Sequence, residues 1–133
     1  MAGETNLKQL IKTMRPALQE GNYVFSTVSN ADHIPRKHIL CEFKEQEGIT
    51  LVMQQALADL YDLKYDYVAA WITLKVHSAL AAVGLTAAFS NALAKHGISC
   101  NVIAGYYHDH IFVAKGDGEK AVNVLNKLAH NGN

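Results

Sequence analysis

The stretch from Val76 to Val113, VHSALAAVGLTAAFSNALAKHGISCNVIAGYYHDHIFV, leaves a chain few ways to fold. Its entry strand, Val68–His77, alternates, with Ala70, Ile72, Leu74 and Val76 on one face and Trp71, Thr73, Lys75 and His77 on the other. A helix is expected to start at the turn Val83-Gly84-Leu85-Thr86, since Leu85, Phe89, Ala92, Leu93 and His96 follow at helical spacing and give one stripe to the sheet. Gly97 should end that helix, as a residue that takes the left-handed conformation without a Cβ penalty. Strands Ser99–Gly105 and His110–Ala114 follow, separated only by Tyr106-Tyr107-His108-Asp109. The segment is a βαββ unit.

These residues resemble an ACT domain, the small βαββαβ module that binds amino acids in regulated biosynthetic enzymes. The phrase VGLTAAFSNALAKHGISCNVIAGYYHDHIFVAKGDGEKAVNVL is similar to the ACT repeats of aspartate kinases. It is more similar still to small stand-alone bacterial proteins that carry two ACT-like halves. The likeness is strong over residues 64–130 and weaker over the rest, and it is carried jointly by the glycine-threonine turn and the HGIS-to-NVIAG step. It implies an α+β, ferredoxin-like ACT duplication, a mostly antiparallel sheet with helices on one face. The expected division is an N-terminal half, 1–63, and a C-terminal half, 64–133, fused through a shared sheet. An ACT module closes on a fourth strand, and none follows the last helix here, so the first half is expected to supply it.

Elsewhere the pattern is less emphatic. Thr5 or Asn6 is placed to cap a first helix with Leu7, Leu10, Ile11 and Met14 on its apolar side, and Pro16 should end it. Strands are expected at Asn22–Val28, Lys37–Phe43 and Ile49–Met53, the second with Ile39, Cys41 and Phe43 on one face. A turn cluster at Ser29–Asp32 opens a loop through Pro35, and Glu45–Gly48 reads as a hairpin turn. A short helix from Gln55 to Tyr61 and a polar joint at Lys64–Asp66 complete the first half. Near the other end, Asp117 is placed to cap a helix that buries Ala121, Val122, Leu125, Leu128 and Ala129.

Twelve basic and twelve acidic residues balance to a formal net charge of zero and form no basic stripe, which argues against nucleic acid as a partner. The N-terminal MAGETNLKQL lacks the basic flank and apolar run of a signal peptide, and no run has membrane-spanning length, so a cytoplasmic protein without a membrane partner is expected. Cys41 and Cys100, isolated in separate strands, are expected to be buried reduced thiols.

Two places could carry chemistry. In the first, a glycine at a strand-to-helix turn allows close approach to the backbone, and free N–H groups at the helix start favour a carboxylate. The plain alternative is that Gly84 only permits the turn and Thr86 only supports the helix. The resemblance implies the former: His77, Ser78, Val83, Gly84, Leu85 and Thr86, with Asn101, Val102 and Ile103 across from them, would hold the α-amino and α-carboxylate groups of an amino acid.

The second place is His108-Asp109-His110, where histidines two apart on an extended segment point the same way and could ligate zinc with help from His33, His38, His77 or His96. The competing reading is a hairpin end, with Asp109 as turn former, and it is the one expected, with no metal and no cofactor. No nucleophile turn, phosphate-cradling loop or local carboxylate pair points to an enzyme. The expected partners are a small-molecule effector, further copies of the chain in a homo-oligomer, and an unknown protein that receives the signal. The rival from another class is a structural module that assembles without a ligand.

Overall fold

The computed structural model describes residues 6–77 and 79–131. In chain order the elements are α1 (Leu7–Thr13), β1 (Arg15–Leu18), β2 (Tyr23–Val28), β3 (Cys41–Lys44), β4 (Ile49–Gln54), α2 (Gln55–Leu60), β5 (Val68–Lys75), α3 (Leu85–Ala94), β6 (Asn101–Ala104), β7 (Asp109–Ala114) and α4 (Gly118–Asn131). They form two compact units, one of residues up to Gln19 and from Ala70 onward, the other Glu20–Ala69. Strand β5 gives its first two residues to the second unit and the rest to the first.

In the first unit the strand–helix–strand–strand–helix series of β5, α3, β6, β7 and α4 is completed by β1, which pairs antiparallel with β5 through Arg15↔Lys75, Pro16↔Leu74, Ala17↔Thr73 and Leu18↔Ile72. The missing fourth strand is therefore residues 15–18, a segment in which alternation is too brief to read as a strand. Helix α1 ends at Thr13, before Pro16 as expected, and Pro16 itself is a residue of β1. Asn6 caps α1, its side-chain oxygen accepting from Gln9 N–H at 3.1 Å; Thr5 lies outside the described residues.

The β5 alternation divides as expected. Ile72, Leu74 and Val76 face a core completed by Leu10 and Met14 of α1, Phe89 and Leu93 of α3, Ile111 and Val113 of β7, and Leu125 and Leu128 of α4. His96, at the end of the α3 stripe, is exposed, since α3 stops at Ala94 and Gly97 takes the left-handed φ of +71°. Asp117 closes a 3-10 turn, Lys115–Asp117, that leads into α4. On the helix-free face of this sheet Thr73 and Phe112 are also buried, at 5% and 1% exposure, so they need no second copy to cover them.

The second unit has the antiparallel order β3-β4-β2-β5, with β2 and β4 in register from Tyr23↔Gln54 to Val28↔Ile49 and β3 and β4 from Cys41↔Val52 to Lys44↔Ile49. The expected strand from Lys37 begins only at Cys41; Arg36–His38 is a 3-10 turn, and Leu40 N–H donates to Val52 O at 2.9 Å, the oxygen opposite Cys41. Two residues thus share one partner, as in a β-bulge. The break separates Ile39, packed against Leu51 and Met53, from Cys41 and Phe43, which register with Val52 and Thr50. Both units are α+β with antiparallel strands, and among the described residues no helix is long and apolar enough to cross a membrane.

Candidate functional site

The turn before α3 is built by Gly84, which holds φ +100°, a conformation that favours glycine, and stands at the N-cap of the helix without a side-chain cap. The first intrahelical bond is Ala88 N–H to Gly84 O at 2.9 Å, so the N–H groups of residues 85–87 precede the ladder and point out of the helix start. A Cβ on Gly84 would come 3.0 Å from Leu7 Cδ2, which places α1 beside the turn. Sequence reasoning missed that neighbour, because nothing local to Leu7 marks a contact nearly eighty residues away.

The predicted residues are placed unevenly. His77, Val83 and Thr86 are exposed, and Leu85 is 4% exposed and buried in the core, which leaves its backbone N–H rather than its side chain for a ligand. Ser78 lies outside the described residues. In β6, Val102 packs on the same core as Leu85, while Asn101 and Ile103, one residue to either side, turn to the opposite face. Asn101 Nδ2–H donates to Phe112 O across the β6–β7 ladder at 3.2 Å. The three β6 side chains thus do not share a surface.

Asp109 and His110 open β7, and His108 belongs to the preceding turn, closed by Gly105 N–H to His108 O at 2.9 Å. His110 Nδ1 accepts from Trp71 Nε1–H at 3.1 Å and lies 3.2 Å from Thr73 Oγ1, which itself accepts from Gln19 Nε2–H at 3.0 Å. An accepting Nδ1 puts the proton of the neutral ring on Nε2 and makes the Thr73 hydroxyl the second donor to Nδ1. Trp71 also stacks on Phe112, with centroids 6.2 Å apart. Burial lowers the His110 pKa, with His108 acting in the same direction and Asp109 against it, and burial raises that of Asp109.

One His110 nitrogen is therefore committed to protein donors, and among the described residues no group of three or more His, Cys, Asp or Glu is gathered as a metal would require. The polar cluster was half legible: Trp71 and Thr73 share parity in β5, and His110 and Phe112 share it in β7. Only the pairing of the strands joins them.

Both cysteines are free and half-buried rather than fully buried, and burial pushes the Cys100 thiol up to about 11.

A strand–helix–strand–strand–helix unit closed by a fourth antiparallel strand defines a ferredoxin-like module, and the comparisons give its family. ACT-domain models match residues 2–70 and, separately, 67–127. The chain belongs to the ACT-domain family, as a tandem pair. A Vibrio cholerae protein of unknown function is 47% identical over 92% of this chain and 95% of its own, with a TM-score of 0.83. An Agrobacterium tumefaciens protein shares 19% identity, with a TM-score of 0.66 over 87% of this chain and 89% of its own. The ligand-free regulatory subunit of aspartate kinase from Thermus thermophilus shares the fold, with a TM-score of 0.60 at 9% identity over 88% of this chain and 97% of its own. No curated protein matches the chain.

Proposed function

We propose that the chain is a non-catalytic regulatory ACT protein that binds a small effector, an amino acid, at the turn before α3 and transmits binding through its own assembly or a partner protein. The observation that carries this reading is the α3 N-terminus. A left-handed glycine exposes the backbone there, and the helix start has no side-chain cap, so a carboxylate can accept from the N–H groups that precede the first helical bond. Thr86 in the first turn adds an exposed hydroxyl, with His77, Val83 and the β6 backbone at Asn101–Ile103 completing the site. The tandem ACT match supports it, as does a fold shared with a regulatory subunit of aspartate kinase.

The test is thermal unfolding against the natural amino acids one at a time. A ligand specific to the native state adds about 2.7 kcal/mol at a hundredfold excess over its Kd, roughly 10 °C in a domain of this size. At least one amino acid should produce that shift. Thr86→Ala should reduce it and Gly84→Val abolish it, each compared with and without ligand because the valine also strains the turn. A panel in which no amino acid moves the wild-type Tm overturns the effector reading and leaves a structural module.

A further inference from the structure

The chain's zero net charge conceals a division. The unit that ends in α4 holds eight Lys and Arg against four Asp and Glu, and Glu20–Ala69 holds four against eight. Residues 5–19 carry Lys8, Lys12 and Arg15, residues 120–133 carry Lys120, Lys127 and His130, and neither segment has an acid. The two segments line one open cleft of about 480 Å³, whose residues are Lys12, Arg15, Asn126, the buried Ala129 and His130. The β1–β5 register also sets Lys75 opposite Arg15, and like charges in that position cost stability unless something negative answers them.

Cations near a helix C-terminus ordinarily answer its carbonyl ends, and both α1 and α4 finish beside this cleft. At α1 that need is already met. Thr13 Oγ1 donates to Gln9 O at 2.8 Å, Met14 N–H to Leu10 O at 3.0 Å, and Arg15 Nη1 to Lys12 O and Met14 O at 2.9 and 2.8 Å. These last two bonds fix the guanidinium and leave its Nε–Nη2 edge, the one that takes two oxygens side by side, without a bond to any described residue. The Lys12 ammonium and the His130 ring are likewise uncommitted among the described residues. We infer that the α1–α4 cleft is an anion site that takes the phosphate of a small phosphorylated molecule. Lys12 and Arg15 match the two charges of the dianion, Arg15 by its free edge, while the Asn126 amide and the His130 ring supply neutral donors. The volume is that of a small-molecule cleft. The site is built by the end of α1 far from Leu7, which lies against the Gly84 turn, and the inference stands whether or not an amino acid binds there.

Calorimetric titration at low, fixed ionic strength tests it, with inorganic phosphate and glycerol 3-phosphate as probes and chloride and acetate as comparisons. Both phosphates should bind saturably, one per chain, and the monovalent anions should not. Lys12→Gln and Arg15→Lys, which loses the forked edge, should each weaken binding about tenfold. Lys127→Gln removes the same charge from the same helix at a residue that does not line the cleft and should leave the Kd unchanged. Without phosphate, Lys12→Gln should keep or raise the Tm, since it relieves repulsion between cations. A Lys12→Gln variant that instead lowers the phosphate-free Tm and binds phosphate as wild type does makes Lys12 a partner of the helix end and overturns the inference. Equal weakening by Lys127→Gln, or equal binding of chloride, shows diffuse attraction or an adventitious ion only and overturns it as well. So does binding to vesicles containing phosphatidic acid with none to either soluble phosphate, the behaviour of a membrane-facing patch.

Discussion

The two units carry comparable antiparallel ladders but cover them differently. Around β5 and β7 the cover is three helices, and the core they enclose includes large, fully buried side chains from every one of them: Leu10, Phe89, Leu93 and Leu125. Around β2 and β4 the place between first and second strands, filled by α3 in the other unit, is a loop with a 3-10 turn, and only Ile34 of residues 29–40 is buried. The cluster under that loop is Ile34, Leu51 and Met53, ringed by partly buried residues such as Ile39, Leu57 and Tyr61, and other fully buried apolar side chains of the unit, Val24, Val52 and Ala58, are small. A ladder therefore survives with light cover when its registers are long, as β2–β4 is, while the hydrophobic contribution to stability concentrates where helices pack.

Truncating the two cores should break this comparison first if it is wrong. Phe89→Ala is expected to cost about 3–5 kcal/mol, because a large side chain at 0% exposure leaves a cavity among helices that cannot all close on it. Met53→Ala, beside residues already half exposed and free to settle inward, should fall near the low end of its class, about 2 kcal/mol. Urea unfolding measures both; equal costs would show that the loop-covered core is as closely packed as the helical one.

The next effect separates two left-handed glycines within the helical unit. Gly97 has nothing within 4 Å of its Cβ position, so Gly97→Ala should cost only the backbone strain, about 1 kcal/mol. Gly84→Ala meets Leu7 as well and should cost more, and Leu7→Ala in the same chain should return the excess. If the two glycine variants are equal, α1 does not bear on the turn.

The smallest effect is protonic. The native His110 ring stays neutral below the ordinary value of 6.5 chiefly because burial disfavours its charge, whereas the unfolded ring takes a proton at about that pH. The unfolded state then binds more protons, so this contribution is whole above about pH 6.5 and is lost as pH falls below it, until the native ring titrates too. His110→Gln should flatten that slope in Tm against pH. Asp109, whose pKa is raised, has the opposite sign: it gains stability as pH falls through its native pKa, a window closer to its ordinary 3.8. Trp71, the single tryptophan, donates to His110 and should report the titration in its fluorescence, with a midpoint below 6.5. A midpoint at or above 6.5 would mean the ring is not desolvated.

What could be read from the chain follows from where periodicity is long enough to speak. Strand β5 and helix α3 announce themselves over eight and ten residues, and Ile72 and Leu74 of the one and Leu85, Phe89 and Leu93 of the other are buried as their spacing demands, while His96 falls beyond the helix and is exposed. Strand β1 has four residues, one of them proline, and is a strand because β5 is beside it, a fact no local pattern contains. The break at Leu40–Cys41 is equally silent, since a bulge changes which carbonyl two N–H groups share and leaves composition untouched. The site was legible in the same measure. Gly84 stands out as a glycine at a helix start, while the burial of Leu85, the approach of Leu7 and the bond from Trp71 to His110 depend on tertiary neighbours.

The insertion of residues 20–69 between β1 and the strand that receives it has a consequence in time. A ribosome delivers β1 first, yet the four residues that pair with it, Ile72–Lys75, arrive some fifty residues later, and α4, which packs in the same unit, later still. During that interval Arg15–Leu18 lacks the strand it pairs with, while Glu20–Ala69 already has every strand of its own ladder. The inserted unit can close first, and the larger one closes last by reaching back for its beginning.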